Sequence, residues 1–253
     1  MAITIAISGK GGTGKTTLAA MMIRLLCEQK ARILAVDADP NSCLGLMLGA
    51  EPVITVAQLR EQARDSKPSN TGIDKVRTFE YGIAQAITEA AGFDLLTMGR
   101  PEGPGCYCAI NNLLRTFMDK LSSSYDYVLI DNEAGMEHLS RRTTNNVDLL
   151  FIVAQPTALG QATVERIFHL VGNLPIAVKR TGIIWNSLGA ENSKTPRLTG
   201  VENLGCVPYD KGLYDVSMRG QSIFDIDGDS PAFMAIRSLF ERESGKLKTS
   251  VAH

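Results

Sequence analysis

The chain has 253 residues, and its 26 Lys plus Arg against 27 Asp plus Glu leave a net charge of -1, so no broad field draws it onto nucleic acid or acidic lipid. A hydrophobic content of 44% can fill a complete α/β core, and the length predicts one domain over residues 1–253. Residues 3–8 are too short an apolar stretch for a secretory leader, and no later stretch reaches the roughly 18 apolar residues of a membrane span, so the reading is a soluble cytoplasmic protein without nucleic-acid partners or stable membrane association. In chain order, short β-branched runs at 3–8, 33–37, 95–98, 127–131, 149–154, 182–186 and 205–207 read as strand cores. Between them lie helical periods: 16–29 with Leu18, Met21, Met22, Leu25 and Leu26, 111–121 with Leu114, Phe117, Met118 and Leu121, and 162–171 with Ile167, Phe168 and Val171. The polar stretches 65–78 and 190–201 read as loops, and a last helix at 230–243 leads into a tail, 244–253, expected to be flexible. Strands with so few polar residues are covered on both faces, which predicts a doubly wound, mostly parallel α/β sheet with helices on both sides.

The turn between the first strand and the first helix reads Gly9-Lys10-Gly11-Gly12-Thr13-Gly14-Lys15-Thr16, which fits G-x-x-x-x-G-K-[ST] in the required strand-turn-helix setting. Glycines let backbone N–H groups turn toward phosphate oxygens, and the helix start adds partial positive charge. Lys15 can reach the β- and γ-phosphates and the Thr16 hydroxyl can bind Mg²⁺, with Thr17 completing a nucleotide-binding set over residues 9–17. The run 127–131 ends in Asp131, a carboxylate that is costly at the end of a buried strand unless it meets a cation, and Asn132-Glu133-Ala134-Gly135 follows as a hinge. Asp37 and Asp39 close the second strand two residues apart, on one face if the segment stays extended.

The second lysine of the loop, Lys10, makes the sequence resemble the deviant Walker A P-loop ATPases, the family that includes MinD and ParA positioning ATPases, the nitrogenase iron protein and the CooC nickel chaperones. The resemblance covers nearly the whole chain. It implies hydrolysis of ATP to ADP with Mg²⁺, and a homodimer in which Lys10 reaches the partner's nucleotide. It further implies Lys10, Lys15 and Asp39 as catalytic residues, Asp39 orienting the attacking water. Thr16, Asp37 and Asp131 would serve magnesium. Asn186 and the backbone at Pro208 would contact adenine, with a capping or loop role for Asn186 as the alternative.

Five cysteines, an odd number in a chain of this size, argue for reduced thiols with separate tasks. Cys106-Tyr107-Cys108 precedes a predicted helix start, where thiolate is favoured. Two sulfurs make half of a four-ligand site, and a two-fold axis would supply the other half. Resemblance to the CooC type implies that arrangement, with Cys106 and Cys108 binding Ni²⁺, or Zn²⁺ at the same thiolates, for delivery to carbon monoxide dehydrogenase. Acetyl-CoA synthase as recipient, a positioning ATPase of the MinD or ParA type, and two buried thiols near a loop are the alternatives. Cys27 and Cys206 read as packing residues, and Cys43, close behind Asp39, is no more than a candidate for a transient metal contact. Phe233, Met234, Ile236, Leu239 and Phe240 form an apolar stripe that reads as a core helix in preference to a membrane anchor.

Overall fold

The computed structural model describes residues 2–65, 81–100, 116–134, 146–173, 176–186 and 195–251. Cys106, Cys108, Gly135 and, of the two polar loops, residues 66–78 and 190–194 lie outside them. In chain order the elements are β1 (Ile3–Gly9), α1 (Lys15–Glu28), β2 (Ile33–Ala38), α2 (Cys43–Leu48), α3 (Val56–Asp65), β3 (Ile87–Ala90), β4 (Phe93–Thr97) and β5 (Tyr127–Asn132). There follow β6 (Asn146–Val147), β7 (Leu149–Ala154), α4 (Ala158–Val171), β8 (Ala177–Val178), β9 (Thr181–Asn186), β10 (Glu202–Val207), α5 (Lys211–Met218), a 3₁₀ turn at Ile223–Asp225 and α6 (Pro231–Val251).

Among the described residues eight strands form one sheet in the order β10-β9-β7-β1-β5-β2-β4-β3, parallel except for the antiparallel β3 at one edge. This is the doubly wound, mostly parallel sheet that the strand pattern predicts. Residues alternate between two apolar layers. Ile3, Ile5 and Ile7 of β1, Tyr127 and Leu129 of β5, and Ile184 of β9 face the layer completed by α1 and α6. Ala6, Val128, Ile130, Ile183 and Trp185 face the opposite layer, with Val56 of α3 and Val164 of α4. Leu18, Met21, Met22, Leu25 and Leu26 of α1 are all buried, each contributing about 1.5–3 kcal/mol of transfer free energy.

Several elements escape the sequence patterns for physical reasons. The eight-residue α5 helix fully buries none of its residues, and the half-buried Leu213 and Val216 that pack against the core are too short a stripe to stand out. The two-residue β6 and β8 pair only with each other and are too short for periodicity. The last helix does not stop at 243 as expected. It continues to Val251, because Leu247 is buried against the core and Lys246 pairs with Glu202 at 3.1 Å and with Glu243 at 3.0 Å, so the tail expected to be flexible begins as packed helix. Phe233, Ile236, Leu239 and Phe240 are buried in the α1 layer, and only Met234 of the expected stripe is exposed. Guanidinium groups of Arg24 and Arg237 lie 4.4 and 5.2 Å from the Phe233 ring centre. Among the described residues no helix is long and apolar enough to cross a membrane.

Candidate functional site

The alternation of the strands decides which side chains meet at the C-terminal edge of the sheet. Asp37 and Asp131 are register partners on β2 and β5, and Ile7 of β1 pairs with Asp131 as well. Since Ala35 and Leu129 face α1, the carboxylates two residues further on point to the same side. Asn186, two residues past Ile184, does so too. The helix dictated by the first amphipathic period begins at Lys15 on that side, so residues far apart in sequence converge on one loop.

The loop conformation depends on glycine at two places. Gly14 caps α1 in the left-handed region, with φ 88° and ψ 23°, and a β-carbon there would overlap the amide nitrogen of Asn186. A β-carbon on Gly9 would overlap the carbonyl oxygen of Val153. The Lys10 carbonyl gathers the loop: it accepts from the Thr13 hydroxyl at 2.8 Å, the Thr13 N–H at 3.3 Å and the Lys15 ammonium at 3.4 Å. Lys15 is buried, whereas the Lys10 side chain is exposed. The Asn186 amide donates to the Thr13 carbonyl at 2.8 Å, and the Asn132 amide donates to the Ile7 carbonyl at 2.9 Å.

The two strand-end aspartates are held differently. Both oxygens of Asp37 accept backbone N–H groups from the following turn, Leu44 at 2.9 Å and Asp39 at 3.2 Å, so Asp37 organises the start of α2. Asp39 in turn accepts from the backbone N–H of Asn41 at 2.8 Å and its side-chain amide at 2.9 Å. Among the described residues, neither oxygen of the fully buried Asp131 accepts a hydrogen bond of normal geometry. Burial pushes the Asp131 carboxyl up to about 7; Thr16 and Lys15 pull it down, while Asp37 and Asp39 push it further up. Burial likewise raises Asp37 to about 6, against the pull of its backbone donors. Cys43 is exposed, and partial burial together with the Asp37, Asp39 and Asp131 carboxylates holds its thiol above the ordinary range, which disfavours the thiolate a metal contact needs.

Two cavities meet over this edge. One, of about 510 Å³, is lined by Gly11, Gly12, Lys15, Thr16, Asp39 and Glu133 among others. Its neighbour, of about 480 Å³, shares Gly14 and Thr17 with it and is walled by Leu18, Met21, Asn186, Pro208, Tyr209 and Leu213. The structure thus brings residues 9–17, Asp37, Asp39, Asp131, Asn186 and Pro208 together. Sequence patterns missed the walls supplied by Tyr209, Leu213 and Tyr214, although Asp210, whose carboxylate accepts from the Leu213 N–H at 3.0 Å, is a recognisable helix cap ahead of them. Among the described residues no group of three or more His, Cys, Asp or Glu is placed to hold a metal ion.

Residues 4–223 match the family described as CobQ/CobB/MinD/ParA nucleotide binding domain. The chain belongs to this family. It is a P-loop ATPase of the MinD/ParA group. An uncharacterised ATP-binding protein of Methanocaldococcus jannaschii is 36% identical over 247 residues, 94% of this chain and 97% of that one. The carbon monoxide dehydrogenase accessory protein CooC of Rhodospirillum rubrum is 32% identical over 243 residues, covering 90% of each chain. The septum site-determining protein MinD of Pyrococcus horikoshii, solved in complex with Mg-ADP, superposes with a TM-score of 0.68 over 98% of this chain and 99% of that chain at 23% identity, a likeness of fold.

Proposed function

We propose that this ATPase is a nickel metallochaperone, in which ATP clamps two copies together and hydrolysis couples to loading or release of Ni²⁺ at paired Cys106 and Cys108 thiolates, for insertion into carbon monoxide dehydrogenase. One observation carries the reading: a Cys-x-Cys pair occurs in a chain that is 32% identical to the CooC accessory protein over nine-tenths of both lengths. Nickel is cargo here, and Zn²⁺ suits the same sulfurs.

The nucleotide half of the reading rests on the geometry. The phosphates fit the cavity above Gly11, Gly12 and Lys15, where Lys15 would exchange the Lys10 carbonyl for phosphate oxygens. The base fits the apolar neighbour between Asn186, Pro208 and Tyr209. The two buried oxygens of Asp131, which take no hydrogen bond of normal geometry among the described residues and have the Thr16 hydroxyl beside them, fit Mg²⁺, with Asp37 next to them on β2. Bound there, Mg²⁺ would neutralise charge developing on the phosphates. Asp39, fixed by Asn41 at the mouth of the cavity, would orient the attacking water, and the exposed Lys10 would reach the partner copy's nucleotide.

A positioning ATPase of the MinD or ParA type is the second reading, favoured by likeness of fold over almost the whole chain. Burial of the apolar face of α6 against the core speaks against an amphipathic anchor made from that helix. Acetyl-CoA synthase is the alternative recipient. Anoxic titration of the reduced protein with Ni²⁺, followed by absorbance and size-exclusion chromatography, tests the proposal. One metal per two chains, thiolate-to-nickel absorption and their loss in a Cys106→Ser/Cys108→Ser protein are expected; unchanged binding in that variant would overturn the metal assignment.

A further inference from the structure

Asn186 occupies a position that a base contact alone does not explain. It ends β9, lies 173 positions from Thr13 in the chain, and is buried with its amide donating to the Thr13 carbonyl at 2.8 Å. The Thr13 N–H and hydroxyl are both turned back onto the Lys10 carbonyl, at 3.3 and 2.8 Å. Thr13 is therefore tied at its nitrogen, side chain and carbonyl, and only the last tie comes from outside the loop.

That outside tie sets a peptide plane. No described peptide bond is cis, and in a trans peptide the C=O and the following N–H point in opposite directions. Pinning the Thr13 oxygen to Asn186 turns the Gly14 N–H away from Asn186, and Gly14 also lines the cavity that Asn186 does not. A backbone N–H at the start of α1 is the donor an anion there requires. Left without Asn186, the buried Thr13 carbonyl would lose its partner, and the plane would be free to rotate about the left-handed Gly14.

Taking the nucleotide reading as premise, we infer that Asn186 is a positioning residue for the phosphate loop, acting through the Thr13–Gly14 peptide, in addition to walling the base cavity. One side chain then bears on both halves of the ligand, on the base directly and on the phosphates through the peptide, so occupancy of the base cavity and the aim of a phosphate donor are linked.

A ligand without a base separates the two roles. Calorimetric titration of the full chain with Mg²⁺ and ATP, and with Mg²⁺ and inorganic tripolyphosphate, should be done on the unsubstituted protein and on Asn186→Ala. Loss of the clamp leaves a buried carbonyl unpaired, and affinity for tripolyphosphate is expected to fall about tenfold. Tyr209→Ala, on the base wall, is expected to weaken ATP and leave tripolyphosphate within twofold. Should Asn186→Ala weaken ATP alone, Asn186 is a base contact only and the inference is overturned. Should the unsubstituted protein bind neither ligand, the nucleotide reading falls and this inference with it. The unsubstituted protein supplies an arm that needs no variant: the Asn186 carboxamide protons are expected to exchange slowly with solvent by NMR, and fast exchange would contradict the clamp.

Discussion

The two cavities that meet at Gly14 and Thr17 are of similar size and opposite construction. The larger, about 510 Å³, is made from one contiguous turn plus residues just past two strand ends, and it offers backbone N–H groups, an ammonium and carboxylates. Its neighbour, about 480 Å³, is walled by Leu18 and Met21 of α1, Asn186 of β9, and Pro208, Tyr209 and Leu213 around the start of α5. On one side recognition depends on fixed charge and backbone aim, where a displaced atom is costly; on the other it depends on apolar contact, which degrades gradually. Substitutions on the first side should therefore act steeply and on the second mildly.

The steepest effect is expected at Asp131. Asp131→Asn removes the buried carboxylate that fits magnesium, and ATP turnover in a steady-state phosphate-release assay should fall about a hundredfold or more. Stability should move the other way. In nucleotide-free protein the Asp131 carboxyl is raised from 3.8 to about 7, so the folded state binds the proton more tightly than the unfolded chain does. The stabilisation that follows is complete below about pH 4 and is lost as pH rises through 7, where an unpaired buried charge remains. Asp37, raised from 3.8 to about 6, adds a loss of the same sign. Thermal melts between pH 5 and 8 should show the apo protein weakening as pH rises. Asp131→Asn should flatten that slope and raise the melting temperature at pH 8 by several degrees. A variant that lost stability at pH 8 would show that Asp131 is paired after all.

Next in size is Gly14→Ala. The residue must hold φ 88° and its β-carbon must share space with the Asn186 amide, so the loop has to move or Asn186 has to leave. ATP affinity is expected to drop at least about tenfold while the circular dichroism spectrum stays native. An unaffected affinity would mean that the cap is not part of the phosphate cradle. The mildest change is expected on the apolar wall: Tyr209→Ala should raise KM for ATP about fivefold and leave kcat within twofold, since only contact with the base is lost. A large fall in kcat instead would erase the contrast between the cavities.

The contrast also governs what the sequence reveals. Residues 9–17 are readable because the chemistry of a phosphate cradle is compressed into consecutive positions whose backbone conformation only glycine supplies cheaply. Asp131 and Asp37 are readable because an acidic residue ending an apolar run is anomalous. The base wall is not, because Leu18 and Met21 look like any core residues of an amphipathic helix and the eight-residue α5 marks its period only through the half-buried Leu213 and Val216. The clamp from Asn186 to Thr13 leaves no trace either, since 173 positions separate donor and acceptor and an asparagine at a strand end is an ordinary turn residue.

By itself, then, the sequence determined the alternation of apolar strands and amphipathic helices, the cradle at the first turn and the acidic strand ends, because each is a local pattern dictated by backbone geometry or by the cost of burying charge. Only the tertiary structure decided that Asp37, Asp131 and Asn186 share the α1 face of the sheet. It alone left the oxygens of Asp131 without a hydrogen bond of normal geometry among the described residues, while the oxygens of Asp37 were taken up by the turn into α2, and it kept α6 helical past 243 against β10. Those outcomes follow from strand order and register, which bring together residues that no sequence interval relates.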